Sequence, residues 1–120
     1  MRNIKKEIVN AVKKAAHNVT DQYPKKWENL PVVCITEEEN KVYEATDKET
    51  KSIVRYRIDI WDKKSTSETA LKVDGEVGLQ GLGFYRTTCQ DAPDPSGLKH
   101  KVMRYEGIID ADNDFVEWPR

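Results

Sequence analysis

The stretch Ile53-Val54-Arg55-Tyr56-Arg57-Ile58-Asp59-Ile60-Trp61 decides the fold. Val54, Tyr56, Ile58 and Ile60 alternate with Arg55, Arg57 and Asp59, the period-two pattern of a strand with one face on a core and the other facing solvent. The charged row ends on Trp61. Arg and Trp are residue types favoured at the energetic anchors of protein interfaces, so two readings of this face stand: a solvated sheet surface, or a protein-contact surface centred on Arg55, Arg57, Asp59 and Trp61.

Upstream, Leu30-Pro31-Val32-Val33-Cys34-Ile35-Thr36 is short and β-branched and predicts a strand. Glu37-Glu38-Glu39-Asn40 reads as a turn, Lys41 to Thr46 as a partner strand carrying Val42 and Tyr43, and Asp47 to Thr50 as a second polar turn. Three strands joined by short turns make an antiparallel meander. Before them, Ile4, Ile8, Ala11, Val12, Ala15, Ala16 and Val19 recur at helical spacing over Asn3 to Val19, with Lys5, Lys6, Lys13 and Lys14 mostly on the other side. The apolar stripe lacks Trp, Phe and Leu, which favours packing on a core over lying on a membrane. A polar linker, Thr20 to Asn29, contains Pro24.

Downstream, Ser65-Thr66-Ser67-Glu68 fits a capping box with Ser65 at the N-cap, opening a helix through Leu82 with Ala70, Val73, Val77 and Gly81 on one stripe. Gly75, Gly78 and Gly81 are poor helix formers, so an end after Val77 is the alternative, and Gly83 suits a C-terminal cap. Phe84 to Gln90 predicts a fourth strand and Asp91 to Gly97 a loop, with Asp94 between two prolines. Leu98 to Asp110 predicts a fifth strand, with Met103, Tyr105 and Ile109 on one face and Arg104, Glu106 and Asp110 on the other. The expected architecture is a two-layer α+β domain, a mainly antiparallel sheet of about five strands with two helices in the order α-β-β-β-α-β-β. A single domain spans residues 1–120, with 111–120 as a candidate C-terminal interaction tail. Phe115 and Trp118 in that tail either fold back or dock on a neighbour.

The chain of 120 residues has the length of one domain. Charged residues make up 34% of it, above the usual quarter, and mean hydropathy is -0.78. Twenty basic residues against twenty-one acidic leave a net charge of -1, which disfavours a binder of nucleic acid dominated by phosphate contacts. Charges every few positions from Met1 to Asn10 give no signal-peptide stretch, and no apolar run approaches a membrane span. Two cysteines make no disulfide framework, and a reduced, cytosolic setting is expected.

Cys34 and Cys89 both fall in predicted strands, with neither His17 nor His100 spaced to form a nucleophile–base pair. Asp110, Asp112 and Asp114 occupy alternate positions as in a calcium loop. Phe115 stands where the EF-hand needs glycine, so a solvated acidic turn is preferred to a weak divalent site. Gly78 to Gly83 lies at a helix end rather than before a helix start, unlike a phosphate loop. No catalytic residue, cofactor or metal is expected.

Several patterns together are recognisable: the helix leading through Tyr23-Pro24 to Leu30-Pro31-Val32-Val33, Tyr56 to Trp61 before a Ser/Thr-opened helix, Gly83-Phe84-Tyr85-Arg86, and a last strand ending Tyr105-Glu106-Gly107-Ile108-Ile109-Asp110. Over about Asn3 to Asp110 the chain resembles the small tail-completion, or tail-terminator, proteins of long-tailed bacteriophages and prophages. The resemblance implies a structural virion protein of the tail neck, assembled in the bacterial cytoplasm. It would form a ring, commonly a hexamer, that caps the head-proximal end of the tail, ends tail-tube polymerisation and offers a surface to the head–tail connector. Partners would be further copies of itself, the tail tube protein and connector proteins, with no membrane and no specific nucleic acid. Candidate contacts are Arg55, Arg57, Asp59, Trp61, Asp94 in its loop, Phe115 and Trp118. Competing readings are a neck protein of the head-completion or minor capsid type, a small ligand-binding or enzymatic α+β domain, and a nucleic-acid binder using the Lys-rich helix face.

Overall fold

A computed structural model describes residues 3–27, 29–45, 50–110 and 116–117. Its elements are α1 (Ile4–Lys13), β1 (Asn18–Thr20), β2 (Val32–Ala45), β3 (Thr50–Asp62), α2 (Ser67–Val77), β4 (Tyr85–Asp91), β5 (Lys99–Asp110) and β6 (Val116–Glu117). The fold is α+β, in the order α-β-β-β-α-β-β followed by the two-residue β6. The sheet runs β1-β2-β3-β5-β4, with β6 pairing β5 beside β4. Only β1–β2 is parallel, and every other pair is antiparallel.

The strands are drawn from the sequence differently than expected. Glu37 to Asn40 is not a turn: β2 runs straight through it, and the extra residue is absorbed as a bulge between Glu37 and Glu39. The predicted first and second strands therefore merge into β2, and the expected three-stranded meander becomes one long β2–β3 hairpin. The strand that restores the count is β1, where helix was expected. α1 stops at Lys13, and Asn18-Val19-Thr20 pairs with Val32-Val33-Cys34. The side chain of Asn18 fastens this segment by donating to the Asn29 carbonyl at 2.9 Å. β-branched and polar residues in this segment favour the extended state once a partner strand is present.

At the start of α1, the Asn3 side chain accepts from the Lys6 amide at 3.1 Å, a side-chain N-cap. α2 begins one residue later than the capping box predicts, with Thr66 at the N-cap and no side-chain cap bond, while Ser65 Oγ accepts from the Ser67 amide. It ends at Val77. The amides of Leu82, Gly83 and Phe84 then return to the carbonyls of Glu76, Gly78 and Val77, folding the glycine run into a compact turn with Gly83 at φ 94°.

Both helices lie on one face of the sheet. Ile4, Ile8, Ala11 and Val12 of α1 and Ala70, Val73 and Val77 of α2 pack with Val33, Ile35, Val54, Tyr56, Ile58, Ile60, Met103 and Tyr105, closed at the side by Phe84. The sequence pattern of Val54, Tyr56, Ile58 and Ile60 thus marks the core face. A second, smaller cluster lies on the opposite face, where Val32, Cys34 and Trp61 pack under Trp27, Leu30 and Leu98.

Candidate functional site

The face opposite the helices divides into two halves. At the end of the sheet near β1, the polar segment after Thr20 and the loop after β4 fold over the strands. Asp59 and Trp61, expected on an exposed charged row, are therefore buried at 5% and 3% exposure. That expectation is corrected: alternation places a side chain on a face but does not say whether other chain covers that face.

Asp94 ties this cover down. One of its oxygens accepts from the Trp61 indole N–H at 3.0 Å, and the other from the Tyr23 hydroxyl at 3.1 Å, the Ser96 amide at 3.0 Å and the Ser96 hydroxyl. Burial alone pushes the Asp94 carboxyl up, but bonds from Ser96, Trp61 and Tyr23 outweigh it and hold the group at about 2. Tyr23, Trp27 and Trp61 pack mutually, with ring centres 5.5 to 5.6 Å apart, in edge-on and tilted geometries. Below them His100 Nε2 lies 2.8 Å from an oxygen of Asp59, which also receives Arg57 Nε at 3.1 Å. Among the described residues His100 Nδ1 has no hydrogen-bond partner, and it sits 3.8 Å from Asp94. Burial raises the nearby Cys34 thiol above its ordinary value, so its environment disfavours the thiolate.

The other half of the face is a lattice of cross-strand ion pairs. Arg55 bridges Glu106 at 2.6 Å and Glu39, and Arg104 meets Glu38 at 3.0 Å. The bulge in β2 explains the adjacent acids, since it lets consecutive Glu38 and Glu39 both reach arginines of this face. On the core side, Glu37 accepts from the Tyr56 hydroxyl at 2.8 Å. Arg55 and Arg57 remain accessible, their side chains 45% and 36% exposed.

Of the residues singled out from sequence, Asp59, Trp61 and Asp94 are brought together as a buried fastening, and Arg55 and Arg57 stand at the half-open charged surface. Phe115 and Trp118 lie outside the described residues, but between them the backbone of Val116 and Glu117 pairs with Ile109 and Ile108 of β5. That stretch folds back on the domain. Asp110 is buried at the end of β5, while Asp112 and Asp114 lie outside the described residues. Among the described residues, no group of three His, Cys, Asp or Glu side chains could hold a metal ion. No described helix is long and apolar enough to cross a membrane.

Sequence reasoning missed the edges of the sheet. Among the described residues, β4 is an edge strand exposed along its whole length, from Tyr85 to Asp91. On the other side β1 covers β2 only at Val32 to Cys34, so among the described residues the outer edge of β2 is open beyond Cys34. The signal for β4 was present: Tyr85-Arg86-Thr87-Thr88-Cys89-Gln90 has strong β character but no alternation of apolar residues, as suits a strand with no buried face. No protein-family model matches the chain, and no curated protein matches it by sequence.

Proposed function

We propose that this protein is a ring-forming structural subunit of a phage tail, a tail terminator that caps the head-proximal end of the tail, stops tube growth and presents a joining surface to the head connector. The observation that supports this most is that, among the described residues, one sheet carries two unlike open edges, β4 and the outer side of β2 beyond Cys34. A subunit with two different complementary surfaces associates head to tail, and such association closes into a ring when the rotation per step divides a full turn. The charged, ion-paired outer face keeps such a subunit soluble before assembly. Sequence resemblance adds the tail-terminator role itself.

Deletion of the gene in the phage or prophage that carries it, followed by electron microscopy of the lysate, tests this reading. The expected result is headless tails of irregular, excessive length beside filled heads. Tails of normal length beside leaking or unclosed heads would instead identify a neck protein acting on the head.

A further inference from the structure

The geometry points to a specific subunit contact: we propose that β4 of one copy adds to the outer edge of β2 in the next copy, joining the sheets into a continuous band. This rests on the ring reading above and assigns its interface.

Three observations carry it. First, strand direction fits. Along β2-β3-β5-β4 every neighbour is antiparallel, so β4 runs opposite to β2. A ring whose axis follows the strands leaves these directions unchanged from copy to copy, and β4 then meets the neighbouring β2 antiparallel, as in the rest of the sheet.

Second, the register across the sheet brings suitable residues together. Arg86 lies in the same cross-strand row as Tyr105, Tyr56 and, at the far edge, Glu37. In a ring without strand tilt, each row continues into the same row of the next copy, and Arg86 meets Glu37. Thr88 shares its row with Arg104, Arg57 and Thr36, giving a Thr–Thr pair of the kind favoured across antiparallel strands. The rows of Gln90 and Asp91 end on Cys34 and Val33, which β1 already covers, so the contact is limited to the Tyr85–Cys89 half of β4.

Third, size favours a ring over a dimer. A ladder of about five residues falls well short of the area that stabilises an isolated pair of proteins. A ring uses both edges of every subunit and gains from closure, whereas β4 pairing with β4 of a second copy leaves each β2 edge open.

A disulfide trap tests the proposal. In a Cys89→Ser background, Thr36→Cys and Thr88→Cys are combined. Within one copy these positions lie three strand spacings apart, about 14 Å, too far for a disulfide. The expected result under mild oxidation, with the protein alone or bound to purified tails, is a reducible ladder of dimers, trimers and higher species, with Thr36→Cys or Thr88→Cys alone staying monomeric. Native mass spectrometry of the unmodified protein is run in parallel. Rings by mass without a ladder would overturn the edge pairing and leave the ring reading standing. Dimers alone, formed as readily by Thr88→Cys by itself, would show β4 pairing with β4 and overturn the proposal. Neither ladder nor ring, with tails present, would overturn both.

Discussion

The imidazole of His100 lies flat against the indole of Trp61, with ring centres 4.7 Å apart and 8° between the planes. Each ring hands its polar edge to a different carboxylate, Trp61 to Asp94 and His100 to Asp59. The stack thereby links β3 and β5 to the loop after β4, and Tyr23 extends the link to the segment after β1. A face that reads as exposed in the sequence is closed by polar bonds from loops at its end.

Acid should weaken this closure. The folded-state pKa of Asp94 is depressed to about 2 from an ordinary 3.8, and its side chain is only 5% exposed. Its contribution is therefore complete above about pH 4 and lost as pH falls from there to about 2. The shift corresponds to about 2 kcal/mol. Urea unfolding of Asp94→Asn and the parent should differ by about that amount at pH 6, and the difference should shrink towards pH 2. A pH-independent difference would contradict the assignment.

Trp61→Ala should unfold the domain rather than merely weaken assembly. The side chain is buried among Tyr23, Trp27, Leu98 and His100, and truncating a buried tryptophan costs about 3–5 kcal/mol. Equilibrium denaturation measures this, and a loss under about 1 kcal/mol would show that the cluster is loosely packed.

Two glycines should respond with opposite signs. A Cβ at Gly75, inside α2, meets nothing within 4 Å, so Gly75→Ala should stabilise by about 0.5–1 kcal/mol. A Cβ at Gly81 would stand 2.0 Å from the Glu76 carbonyl oxygen, so Gly81→Ala should cost more than about 2 kcal/mol. Melting temperatures of the two variants report both directions.

Tyr105→Phe removes a hydroxyl that donates to Asp74 at 2.7 Å, and burial together with that carboxylate raises the phenol's pKa. The expected cost is about 1–2 kcal/mol. Because the phenol stays neutral, the loss should be constant between pH 6 and 9 in denaturant titrations.

The core face was legible because β3 alternates cleanly and α1 keeps a regular apolar stripe. The fold class followed from these two patterns and the loop residues between them. The cover over the second face was less legible, yet it left a trace. Val32-Val33-Cys34-Ile35, Ile60-Trp61 and Val102-Met103 are apolar on consecutive residues, which marks strand ends buried on both sides. The acidic run Glu37-Glu38-Glu39 read as a turn because its composition is that of a turn, and it is Tyr56, Arg104 and Arg55 on β3 and β5 that receive these acids in the strand. Arg55 and Arg104 lie 16 to 66 positions away in sequence from their acids in β2, beyond the reach of local pattern. The edge position of β4 was hidden for a related reason: being an edge is a property of the whole sheet.

The most direct test of the central claim is the oligomeric state of the intact protein, measured by native mass spectrometry over a concentration series with purified tails added in a parallel sample, and with negative-stain imaging of the largest species. The expected result is a single closed oligomer, annular in projection and seated at one end of the tails. A protein that stays monomeric at every concentration and leaves the tail ends bare would contradict it.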